Sequence, residues 1–134
     1  MTQDALAIAN LKAGYCRAAD LSTTDPDGAR AAFEDLFTDD FVGDYGFKML
    51  HGRHEITEFM IQAIGGGSEW MIHALGSPSI HVAGDKASGD WTIAVDSRRR
   101  EGQGLMRVVG RYSDTFRKMP DGWRIATIKF DRYE

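Results

Sequence analysis

Apolar residues recur every three or four positions through the first half of the chain and every second position through most of the rest. Ile8, Leu11, Tyr15 and Ala18 or Ala19 repeat at helical spacing, which predicts a helix over roughly Thr2–Leu21. Asp25-Pro26 then offers an N-cap with proline at the first helical position. Behind it Ala29, Ala32, Phe33, Leu36 and Phe37 form one stripe, which predicts a second helix running through Phe37. Ile56, Phe59, Met60, Ala63 and Ile64 repeat the pattern, so a third helix is expected over Arg53–Ile64, stopped by Gly65-Gly66-Gly67.

The strand signals are mostly serial. Phe41–Tyr45 and Phe47–His51 read as short strands around Gly46. After Ser68 the chain alternates to its end, with breakers at Gly76-Ser77-Pro78, Gly84-Asp85, Gly102-Gln103-Gly104 and Pro120-Asp121-Gly122. Ser68–Val82 therefore reads as two short strands flanking a bend. Trp91, Ile93 and Val95 alternate with Thr92, Ala94 and Asp96. Val108, Gly110, Tyr112, Asp114 and Phe116 fall in the next strand, and Trp123, Ile125 and Thr127 in the last. Helices first and a meander afterwards give an α+β class. The economical packing is a strongly curved antiparallel sheet around three helices, with a deep pocket between them, in a single domain over residues 1–134.

Composition narrows the function. The 134 residues suffice for one domain with a core, and a net charge of -4 argues against a nucleic acid or an anionic membrane as partner. The Arg98-Arg99-Arg100 run reads as a solvated strand end. Met1–Ala9 lacks the basic and apolar regions of a secretory leader, no stretch reaches a membrane span's length, and the expectation is a cytoplasmic protein. Cys16 stands alone and reads as a buried small hydrophobe. His51 and His54 have no third ligand at metal-site spacing, so no metal is expected. With no nucleotide loop or nucleophile elbow, redox, phosphoryl-transfer and serine-hydrolase readings fall away, and no cofactor is expected.

His73 is the residue that needs a reason. Met71, His73 and Leu75 share one face of their strand, Trp70, Ile72 and Ala74 the other, and both faces read as buried. An imidazole there is either a core residue with satisfied nitrogens or a base with a pKa suited to proton transfer. Asp96, sharing a face with the small Thr92 and Ala94, reads as either a cavity-wall carboxylate or a solvated strand end. His81 reads as solvent-facing. Met49, Phe59, Met60, Trp70, Met71 and Met106 read as core or pocket wall, which favours a small hydrophobic ligand.

Tyr15-Cys-Arg-Ala-Ala-Asp20, "LFTDDFVGDYG", "HGRHEITEFM", "IHALGSPSIHVAGDKASGDW" and "GRYSDTFRKMPDGWRI" together resemble the SnoaL-like family of the nuclear-transport-factor-2-like superfamily, over nearly the whole chain. The resemblance implies a cone-shaped barrel and, by likeness to its dehydratases and dehydrochlorinases, a catalytic dyad at Asp20 and His73. It also implies assisting roles for Tyr15 and Asp96, and a late-strand cation at Arg107, Arg111 or Lys129, of which Arg111 is carried as a substrate-binding candidate. Where the dehydrochlorinase has lysine, this chain has Tyr15. The implied activity is a cofactor-independent lyase acting on a bulky hydrophobic hydroxylated compound. Isomerase or polyketide-cyclase chemistry, or a non-catalytic binding or dimerising module, is the alternative. Relatives pair through the sheet, so a homo-oligomer is expected.

Overall fold

The computed structural model describes residues 2–134; Met1, the first residue of the stretch read for a leader, lies outside them. Helix α1 (Gln3–Leu21) begins where the Thr2 hydroxyl accepts the Ala5 N–H at 3.1 Å. At its far end the Ser22 and Thr23 hydroxyls donate to the carbonyls of Ala19 and Asp20 at 2.6 and 3.0 Å. The turn residues thus cap the helix themselves, and the Asp20 carboxylate is left for other work.

Helix α2 (Pro26–Phe33) starts as expected, with Asp25 accepting the Gly28 N–H at 3.0 Å, but it is shorter than its stripe. Leu36 and Phe37 lie beyond it, and Phe37 opens strand β1 (Phe37–Asp44). Phe33 and Phe37 stack in the same core, ring centroids 6.1 Å apart, so the apolar spacing continues although the helix does not. β1 turns into the short β2 (Met49–His51), with Gly46 at φ 83° in the connection. Helix α3 (Arg53–Phe59) runs on into a π turn at Met60–Ile64 and a 3₁₀ turn at Gly65–Gly67. A Cβ on Gly65 would lie 2.0 Å from the Ser22 hydroxyl, so this glycine permits the close pass of helix end against helix end as well as stopping α3.

Strands β3 (Ser68–Ala83), β4 (Lys86–Arg99), β5 (Leu105–Met119) and β6 (Gly122–Arg132) form an antiparallel meander. The six strands lie in the order β2-β1-β6-β5-β4-β3. β1 runs parallel to β6, so the sheet is mixed where an all-antiparallel one was expected, and it stays open. Between β2 and the meander the chain runs through α3 and its π and 3₁₀ turns, and it returns beside β1 only as β6. The α+β class and the cone around α1 are as expected.

Two expectations about β3 need correcting. Gly76-Ser77-Pro78 does not separate two strands: β3 is one strand, and the register slips between Gly76 and Ser79, with Ser77 at φ 47°. β3 is a sheet edge, where Pro78 sacrifices no ladder bond and a bulge bends the strand without ending it. Nor is β3 buried on both sides. Ile72 is 59% exposed and Trp70 39%, whereas Met71 is buried, so the Trp70 face is the outside of the cone. No described helix is long and apolar enough to cross a membrane.

Candidate active site

Asp20 and His73, 53 positions apart, meet where the last turn of α1 packs on β3. His73 Nδ1 lies 2.6 Å from Asp20 Oδ1. The same carboxylate accepts the His73 backbone N–H, at 3.1 Å to Oδ1 and 3.2 Å to Oδ2. Ring and backbone are therefore gripped by one group, which fixes both the rotamer and the tautomer: a carboxylate acceptor requires the proton on Nδ1. A carboxylate in the last turn of a helix lies at the negative end of the macrodipole, an unfavourable place for it alone. The same field stabilises positive charge on the imidazole. The His73 side chain is 4% exposed and that of Asp20 25%, the latter opening on an outer groove beside Ala13, Arg17 and Leu75.

On its inner side His73 lines a cavity of about 250 Å³ between helices and sheet. The wall is mostly apolar, with Phe59, Met60, Met71, Val95, Met106 and Phe130 among its members. Polar groups enter at two places. Deep in the site the hydroxyls of Tyr15 and Tyr45 lie 2.9 Å apart, with Tyr112 edge-on to Tyr15. Burial pushes all three phenols well above their usual pKa, so they are neutral hydrogen-bond donors. Two hydroxyls sharing one bond leave one further O–H proton, which Tyr15 directs at the Met60 sulfur at 3.9 Å, a weak acceptor that a ligand oxygen would outcompete. At the rim stand Arg99 and Arg132.

Behind the tyrosines lies a pair of charges that the sequence reading missed. Lys12 Nζ is 2.8 Å from Asp114 Oδ2, and both side chains are wholly buried. The ammonium also sits 3.5 Å from the ring centroid of Tyr112 and 4.3 Å from that of Tyr15, in cation–π contact with both. Burial pushes the Asp114 carboxyl up to about 6, and the Lys12 charge opposes that rise. Burial likewise pushes the Cys16 thiol up to about 12, which leaves it a packing residue.

The structure gathers part of the expected set and disperses the rest. Asp20 and His73 are together; Tyr15, Phe59, Met60, Met71 and Met106 line the same cavity. Asp96 does not. It is on the outer face, in register with Ile72 and half-exposed, and Arg107 pairs with it at 2.9 Å and lowers its carboxyl pKa. The solvated strand end is the alternative that holds: Trp91, Ile93 and Val95 point in, because the cone encloses helices that need bulky partners, and the small Thr92 and Ala94 point out. Trp70 and Arg111 are on the outer face too, and half-exposed Met49 is outside the cavity wall. Arg107 and Lys129 also face outward. The cations that reach the cavity are Arg99 and Arg132, which continue the inward series Trp91-Ile93-Val95-Ser97 and Ile128-Phe130. Lys12 was legible in the same way, standing at the apolar spacing of Ile8, Tyr15 and Ala19. Among the described residues no cluster of three His, Cys, Asp or Glu side chains could hold a metal ion.

An open cone of mixed sheet with a helix-lined pocket is the architecture of the nuclear-transport-factor-2-like superfamily. The chain belongs to the SnoaL-like domain family, whose model matches residues 1–129. Solved structures agree on the fold. A nuclear-transport-factor-2-like protein from Salmonella enterica serovar Typhimurium is 22% identical, with a TM-score of 0.83 over 95% of this chain and 89% of its own. A candidate aromatic ring hydroxylase from Novosphingobium aromaticivorans is 26% identical, with a TM-score of 0.83 over 98% and 90%. A hexachlorocyclohexane dehydrochlorinase from Novosphingobium barchaimii is 14% identical, with a TM-score of 0.83 over 97% and 86%. No curated protein sequence matches the chain.

Proposed function

We propose that this protein is a lyase or isomerase in which His73, held by Asp20, removes a carbon-bound proton from a compact apolar substrate. The observation that carries the reading is the 2.6 Å bond from Nδ1 to Asp20 on a histidine that lines the apolar cavity. With Nδ1 committed as donor, the Nε2 lone pair has no protein partner among the described residues and is the group available to a ligand. Proton uptake there creates an imidazolium that Asp20 and the end of α1 stabilise, the standard means of giving a base the strength it needs. The electron pair left on carbon then expels a leaving group, or is reprotonated at another carbon. The spare hydroxyl proton of the Tyr15–Tyr45 pair is placed to support the departing atom or a developing oxyanion. Dehydratase-type elimination is the form of this chemistry that we favour. Asp96, paired with Arg107 outside the cone, has no part in it.

Volume limits the substrate. A dry cavity of about 150 Å³ takes one benzene. At about 250 Å³ this one suits one or two fused rings with a substituent, and a four-ring body would have to project through the rim. The test is a panel of mono- and bicyclic compounds with hydroxyl or halide β to an acidic C–H, assayed for product and for solvent deuterium in recovered substrate. On any compound the wild type converts, His73→Ala should lower turnover by about 10²–10⁴. The double variant with Asp20→Asn should be little worse, because the two residues act as a unit. Undiminished turnover by His73→Ala would overturn the proposal.

A further inference from the structure

Arg99 and Arg132 are the last residues of β4 and β6, and both line the cavity that holds His73. Arg99 Nη1 donates to the buried Ser68 hydroxyl at 3.2 Å, and its guanidinium lies against the Gly67 backbone, where a Cβ would come within 2.6 Å of Nη2. Arg132 Nε donates to the main-chain oxygen of Glu134 at 3.1 Å. Each contact orients the fork and leaves most of its N–H groups unused. Among the described residues neither guanidinium pairs with an Asp or Glu side chain, as Arg30, Arg53, Arg107, Arg117 and Arg124 do, and of the arginines without such a partner these two line the cavity. No Asp or Glu lines the cavity. A chain of net charge -4 has thus built a pocket whose only formal charges are two cations.

We infer that the substrate carries an anionic group, a carboxylate by preference, that Arg99 and Arg132 hold at the rim while its apolar body extends towards His73. Guanidinium forks bind a carboxylate through paired, charge-assisted hydrogen bonds. A neutral hydrocarbon would leave both forks unanswered. One anchored end also determines which C–H meets Nε2, which is how binding at a remote group serves the reacting centre. The inference rests on the cavity being the substrate site and narrows the proposed substrate to ring acids.

The probes are 2-naphthoate and 2-naphthylmethanol, alike in body and different in charge, titrated calorimetrically into the whole protein. The wild type should bind the acid at least about tenfold more tightly than the alcohol. Arg99→Gln and Arg132→Gln should each weaken the acid by about tenfold and leave the alcohol unchanged, with circular dichroism confirming the fold. Equal affinity for the two probes would overturn the anion site while leaving the cavity reading intact. Arginine variants that weaken both probes alike would reduce the pair to packing, and variants that weaken neither would place the anion elsewhere; each result refutes the inference. Failure of both probes to bind at all would overturn the anion site and the cavity reading together. Binding is read here without turnover, which separates this test from that of the chemistry, and Asp96→Ala, outside the cavity, should bind both probes as the wild type does.

Discussion

Replacing Lys12 by Met and Asp114 by Asn, singly and together, should give three stability profiles that differ in the sign of their pH dependence. The wild-type Asp114 carboxyl, raised from 3.8 to about 6, holds its proton more tightly in the folded chain than in the unfolded one. Its contribution to stability therefore falls as pH rises from about 4 to 6 and is level above that. Lys12→Met removes the only opposing charge, so the buried carboxyl rises further and stays protonated in the folded state beyond pH 6. The unfolded chain has released that proton, and the variant's penalty relative to wild type should grow by about 1.4 kcal/mol per pH unit above 6. Asp114→Asn leaves a wholly buried ammonium with ring faces and a neutral amide around it and no opposite charge. It sheds its proton on folding, so its penalty should shrink by about 1.4 kcal/mol per unit over the same range. Near pH 7 each single change should cost about 3–5 kcal/mol, the usual result of leaving one member of a buried pair. The double variant should cost less than the sum and show no slope above pH 6. Urea denaturation at pH 6, 7, 8 and 9, followed by tryptophan fluorescence, reads all of this. Single variants that run parallel to wild type, or a double variant that costs the sum of the two, would refute the isolated ion pair.

Three further outcomes are expected from the packing of the chain. Cys16, with its thiol pushed up to about 12 and buried, should resist a disulfide reagent at pH 8 in the native protein and react at once in urea; rapid native labelling would contradict its placement. Gly110→Ala puts a Cβ within 2.3 Å of the Asp131 carbonyl across the β5–β6 pair, so about 1–3 kcal/mol of stability should be lost in a thermal melt, and an unchanged melting temperature would show that the strands are further apart. Asp96→Ala should leave turnover on any converted compound at the wild-type level, since the carboxylate faces solvent with Arg107; a loss comparable to that of His73→Ala would return Asp96 to the site.

Much of this could be read from periodicity. The three helices, the meander and the pairing of Asp20 with His73 all followed from apolar spacing, breakers and the family's pattern. The errors share a cause: local pattern does not tell which side of a sheet faces the core. Along β4 the small Thr92 and Ala94 leave Asp96 open to either a cavity wall or a solvated strand end, and its place among the catalytic candidates took the first. The sheet wraps α1, so its bulky face is the concave one, and that fact is tertiary. Phe37 illustrates the same limit, continuing a helical stripe while belonging to a strand. Lys12 and Asp114 were legible separately, each a charge at an apolar position, and each explains the other only once α1 lies against β5. Arg99 and Arg132 needed the strand ends and the cavity to be known.

The most direct test of the Asp20–His73 base is the protonation of its two ring nitrogens, measured by long-range ¹H–¹⁵N correlation on labelled protein at a pH where the ring is neutral. The signals are assigned by their loss in His73→Ala. The account predicts that Nδ1 carries the proton and Nε2 the lone pair, and that Asp20→Asn disturbs this preference. A proton on Nε2, with Nδ1 bare towards Asp20, would leave the cavity without a base and contradict the account.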